Sequence, residues 1–99
     1  MSSSKIWFVY LIECTDGSLY TGITVDLEAR FQAHLRGKGA RYTRSHPPLR
    51  ILGAEAHQDR SSALKAEFRI KQLTPTQKRA HATQMPAGSS APEVVKAEF

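Results

Sequence analysis

Apolar, aromatic and β-branched residues crowd the stretch from Ile6 to Glu13, and a second such run spans Leu19 to Thr24. Both read as strands. Thr15-Asp16-Gly17-Ser18 between them is a turn signal, so the pair predicts a hairpin. Side chains alternate faces along a strand, which makes the loop length decisive. A turn confined to Asp16-Gly17 would put Tyr10 and Tyr20 on opposite faces. A loop of Thr15-Asp16-Gly17 instead pairs Cys14 with Ser18, Ile12 with Tyr20 and Tyr10 with Gly22, and both phenols share one face. Gly17 tolerates the positive φ that this loop requires, so the longer loop is expected. Gly22 would then leave room above the Tyr10 phenol for a phosphate.

Beyond Thr24 the period changes. Leu27, Phe31 and Leu35 recur at helical spacing behind Asp26, a capping residue. Gly37 and Gly39 stop that helix after about Arg36. Residues 37–48 predict a basic loop closed by Pro47-Pro48, and Leu49 to Ala56 a third strand. Asp59 caps a helix over 60–73, and Thr74-Pro75 opens another that fades near Thr83. The order β-β-α-β-α-α predicts an α+β domain over residues 1–83, with a small, three-stranded, antiparallel-rich sheet flanked by helices. Residues 84–99, rich in Pro, Gly, Ser and Ala, predict a disordered tail.

Two helices carry candidate chemistry. At about 100° per residue, Lys65, Arg69 and Gln72 share one side of the 60–73 helix. Ala63, Leu64, Ala66, Phe68, Ile70 and Leu73 cover most of the rest, and Glu67 falls inside that apolar arc. A carboxylate there needs compensation. Lys71, four residues on, supplies it in one reading. A divalent cation that keeps its waters and takes phosphate oxygens supplies it in the other. On the helix after Asp26, Arg30 and His34 stack beside the apolar stripe. Arginine suits phosphate oxygens, and histidine moves protons near neutrality.

Composition narrows the partner. Ninety-nine residues make one domain, and the formal net charge is +5. Between Glu28 and Glu55 there is no acid, while Arg30, Arg36, Lys38, Arg41, Arg44 and Arg50 fall in that interval. Lys38, Arg41 and Arg44 are the candidate clamp on backbone phosphates. A lone cysteine, Cys14, excludes an internal disulfide and fits a reducing compartment. Residues 6–14 are too few to span a bilayer.

Val9-Tyr10-Leu11 and Tyr20-Thr21-Gly22, the Gly22 to Arg30 spacing, His34, and Glu67 within Ala66-Glu67-Phe68-Arg69-Ile70-Lys71 together resemble the GIY-YIG nucleases. The resemblance covers about residues 6–83 and is nearest to short, stand-alone bacterial members. The first tripeptide keeps only its tyrosine, the second has threonine at its centre, and the chain contains no asparagine. The resemblance implies an endonuclease using one Mg²⁺ or Mn²⁺ held by Glu67. It implies Tyr10 as general base, Tyr20 as a positioning group, Arg30 on the transition-state charge, and His34 as proton acceptor. Lys71 would touch phosphate or balance Glu67. The expected partner is DNA, with structured or damaged DNA in repair or recombination as the narrower class and RNA left open. The expected location is cytoplasmic, in or near a bacterial nucleoid, without a membrane. The alternatives are a non-catalytic nucleic-acid-binding module, or a subunit whose protein partner supplies specificity.

Overall fold

A computed structural model of the chain describes residues 5–85. Its elements are β1 (Trp7–Cys14), β2 (Leu19–Thr24), α1 (Leu27–Leu35), α2 (Arg41–Ser45), β3 (Pro48–His57), α3 (Arg60–Lys71) and α4 (Pro75–Ala82). The strands form one antiparallel sheet in the order β2-β1-β3. The hairpin takes the odd-length loop. Cys14 N–H donates to Ser18 O, Gly17 N–H closes the turn onto Cys14 O at 2.9 Å, and Gly17 has φ +88°. Tyr10 therefore stands opposite Gly22, and Ile12 opposite Tyr20.

Caps fix where the helices start and stop. Asp26 accepts from Ala29 N–H, Asp59 from Ser62 N–H, and Thr74 with Gln77 forms a reciprocal capping box. At the end of α1, Gly37 N–H donates to His34 O and Lys38 N–H to Ala33 O, with Gly37 at φ +75°. Those bonds satisfy carbonyls that the helix leaves open. Gly39 has a different task from the expected stop. A Cβ there would lie 2.2 Å from His34 Nδ1, so glycine is what lets the imidazole fit.

Both faces of β1 are covered. Tyr10, Ile12 and Cys14 pack with Leu27, Phe31, Ile51 and Ala54, on the side of α1 and α2. Val9 and Leu11 pack with Ala63, Ala66, Ile70, Ala82 and Met85, on the side of α3 and α4. Two register shifts between β1 and β3 make this possible, one of them between Leu11 and Ile12. That shift lets Ile51 and Ala54 join the Tyr10 side while Leu52 joins the other.

Four further expectations change. The 37–48 loop contains α2. The α1 stripe is Leu27, Phe31 and His34, with Leu35 exposed, because His34 finds polar partners inside. Leu64 and Phe68 lie outside the α3 seam, because Ala63 and Ala66 bring the helix close to the sheet and narrow the contact. Met85, assigned to the tail, is buried, and Gly53 opposite lets Ala82 and Met85 approach. The rest of that tail, from residue 86, lies outside the described residues. Among the described residues no helix is long and apolar enough to cross a membrane.

Candidate active site

The hairpin register brings Tyr10 and Tyr20 together, with ring centroids 6.2 Å apart. α1 lies over them and delivers His34, which is fully enclosed. The Tyr10 hydroxyl is 2.9 Å from His34 Nε2, and His34 Nδ1 is 2.7 Å from Thr43 Oγ1. Thr43 in turn donates to the Ala40 carbonyl at 3.0 Å. That last bond settles the proton order. A carbonyl only accepts, so the one hydroxyl hydrogen of Thr43 is committed to Ala40. Thr43 must then accept from Nδ1–H, which leaves Nε2 bare, and Tyr10 O–H donates to it. The tautomer is thus assigned from the network.

Burial sets the resting charges. It pushes the Tyr10 phenol up to about 12, with the Tyr20 and Glu67 charges adding to the rise and the Arg30 guanidinium opposing it. Burial, helped by the Arg30 charge, pushes His34 down to about 4. At neutral pH both groups are uncharged, a phenol donating to an imidazole.

The space over Gly22 is filled by the phenol itself. A Cβ at Gly22 would lie 2.6 Å from the Tyr10 oxygen, so the room expected there for a phosphate goes to the tyrosine. Tyr42 of α2 stacks on Tyr20 at 6.0 Å, and His46 stacks on Tyr42 at 4.0 Å.

Glu67 comes from α3, which packs on the opposite face, yet its carboxylate is among the charges acting on Tyr10. It is partly shielded, and Lys71 Nζ lies 3.2 Å from its Oε2. Among the described residues no three His, Cys, Asp or Glu side chains converge. The available donor set is a single carboxylate. That fits Mg²⁺ or Mn²⁺, which keep waters and take phosphate oxygens. Lys71 lies on Oε2 alone, so the other carboxylate oxygen is the one open to a cation.

Lys38, Arg41 and Arg44 are exposed on α2 and the loop before it, and none is in an ion pair among the described residues. The structure gathers Tyr10, Tyr20 and His34, with the Arg30 and Glu67 charges acting on Tyr10, and leaves these three cations unpaired among the described residues. Sequence reasoning missed Thr43, Tyr42 and Gly39. One signal was available for Thr43: a buried histidine needs a partner for each ring nitrogen.

The model of the GIY-YIG catalytic domain matches residues 6–80. The chain is 55% identical over 87 residues to the UPF0213 protein of Cupriavidus necator, covering 88% of this chain and 95% of that one. It is 51% identical over 72 residues to the UPF0213 protein YhbQ of Escherichia coli, covering 73% and 72% respectively. Solution NMR structures of a protein from E. faecalis (38% identity, TM-score 0.55, 82% of this chain and 86% of that) and of the UPF0213 protein from Bacillus halodurans (37%, TM-score 0.50, 79% and 83%) share the fold. With the family model spanning most of the sequence and these relatives matching along its length, the chain belongs to the GIY-YIG nuclease family.

Proposed function

We propose that this protein hydrolyses phosphodiester bonds in DNA as a metal-dependent endonuclease, acting in the cytoplasm on structured or damaged DNA. The observation that carries this reading is the buried Tyr10–His34–Thr43 chain, set beside Arg30 and within reach of the Glu67 charge. A satisfied buried chain of this kind fixes the orientation of each group it joins. Tyr10 takes a proton from the attacking water as it passes its own to His34 Nε2, so no free phenolate is needed at rest. Thr43 holds the imidazole in the accepting tautomer. Arg30 meets the charge that develops on the phosphoryl oxygens, and Tyr20 positions the water or phosphate. Glu67 would hold a divalent ion, which would supply electrostatic stabilisation of developing negative charge. Lys38, Arg41 and Arg44 hold neighbouring phosphates.

The Glu67–Lys71 ion pair favours a second reading, a nucleic-acid-binding module of the same fold that does not cut, either alone or as a subunit beside a protein partner. One assay separates them. Branched, nicked and single-stranded DNA, and the matching RNA, are incubated with and without Mg²⁺ or Mn²⁺. Glu67→Gln should reduce metal-dependent cleavage by at least about 100-fold while keeping thermal stability and most binding. A variant that loses stability and keeps its activity would remove Glu67 from the metal and assign it to Lys71 alone.

A further inference from the structure

On α3 the seam against the sheet is Ala63, Ala66 and Ile70, with Glu67 at its rim. Continuing round the helix past Lys71 come Leu64 and then Phe68, at about 100° per residue. Leu64 is 37% exposed and Phe68 67% exposed. A single exposed apolar side chain needs no explanation. Here two lie one turn apart, on the flank of the helix next to Glu67 and Lys71. Lysines bracket the ring, Lys65 three positions before Phe68 and Lys71 three positions after, and both are exposed. Glu67 is the only acid between Asp59 and Glu93. An exposed ring flanked by cations, beside a site for phosphate, matches one class of occupant. A nucleobase stacks on the ring while its phosphates meet the ammonium groups.

The geometry points to Phe68 as a stacking platform for an unpaired nucleobase next to the scissile phosphate, with Leu64 extending the apolar surface and Lys65 and Lys71 meeting the flanking phosphates. The consequence is a substrate class. In intact duplex both faces of each base are already stacked, so engaging Phe68 would first require unstacking, at a cost of a few kcal/mol. Single-stranded, frayed or branched positions present a free base face. This inference rests on the reading of Glu67 as the metal-holding end of an active site, and it narrows that reading.

The test is fluorescence anisotropy in EDTA, where no cleavage occurs, with the full chain and labelled oligonucleotides in single-stranded, forked and blunt duplex form. Phe68→Ala should weaken single-stranded and forked binding by about 10-fold or more, the range of one base–aromatic stack, and change blunt duplex binding less than about 2-fold. Phe68→Trp should restore affinity, and its emission should be quenched by the single strand. Unchanged affinities, or equal losses on all three forms, overturn the inference. So does a blue-shifted Phe68→Trp emission in the free protein, above the Trp7 background, which would mean that the ring is covered by the chain itself or by a second copy. Binding is read without metal, so the two readings fail separately. Selective loss on single strands in a protein that never cuts keeps Phe68 and removes the nuclease. Full cleavage with no Phe68 effect on binding does the reverse.

Discussion

On the face covered by α1 and α2, β1 presents Tyr10, Ile12 and Cys14, and much of what meets them is polar or aromatic: His34, Thr43, Tyr20 and Tyr42. On the face covered by α3 and α4 it presents Val9 and Leu11, and what meets them is Ala63, Ala66, Ile70, Ala82 and Met85. The second face is predominantly apolar, with a cavity of about 220 Å³ beside Ile70 and His81. The first encloses a hydrogen-bonded chain, Tyr10–His34–Thr43–Ala40, in which each member satisfies the next. One central strand, buried on both sides, thus anchors the fold with its odd residues and contributes to the candidate site with its even ones. Glu67 is the exception, a charged group supplied from the anchoring side and placed at its rim.

The contrast breaks most visibly through cavities. Ile70→Ala on the apolar face should cost about 2–5 kcal/mol of stability in denaturant melts, while cleavage per folded molecule stays within a few-fold. Tyr10→Phe on the polar face should do the opposite. It leaves His34 Nε2 without its donor, costs about 1–2 kcal/mol, and lowers cleavage by about 100-fold or more. Equal profiles for the two variants would erase the distinction between the faces.

Acid should act through the polar face. An unfolded histidine protonates near 6.5, whereas His34 in the fold holds out to about 4. Between those values the unfolded chain binds more protons, so stability falls as pH falls. The contribution is complete above pH 6.5 and is lost by pH 4, an effect of the order of 3 kcal/mol. His34→Asn should flatten that part of the stability–pH curve. A wild-type curve that is already flat there would mean that His34 titrates freely.

The smallest effect sharpens the comparison. Thr43→Val removes the acceptor for Nδ1–H and should cost about 1–2 kcal/mol, whereas Thr43→Ser should cost less. Long-range ¹⁵N NMR of His34 should show a single Nδ1–H tautomer in the wild type and in Thr43→Ser, and a mixture in Thr43→Val. A turnover loss of about 10-fold that serine rescues would accompany it. An unchanged tautomer in the valine variant would reduce Thr43 to packing.

Much of this was legible in the chain, for local reasons. Strand alternation and one glycine decide the hairpin parity, and Asp26, Asp59 and Thr74 announce their helices. The set Tyr10, Tyr20, Arg30, His34 and Glu67 came from motif order, since spacing alone left Glu67 divided between Lys71 and a metal. The structure adds proximity and keeps Lys71 in contact. What escaped depends on tertiary contact. The Arg41–Ser45 turn has little helical signal of its own, and Thr43 on His34 and Tyr42 on Tyr20 tie it down. Helical periodicity placed Leu64 and Phe68 in an apolar arc but carries no information on how wide the buried seam is, which the alanines decide.

The Thr15-Asp16-Gly17 loop has an implication for length variation in this hairpin. Because neighbouring strand residues face opposite ways, the loop acts as a parity counter. An insertion or deletion of one residue there turns β2 over relative to β1. Tyr20 then leaves the Tyr10 face, and the Gly22 clearance is lost from above the phenol. An insertion of two residues restores both. A single-residue indel at this exposed tip, mild by every compositional measure, should therefore be more damaging than an insertion of two.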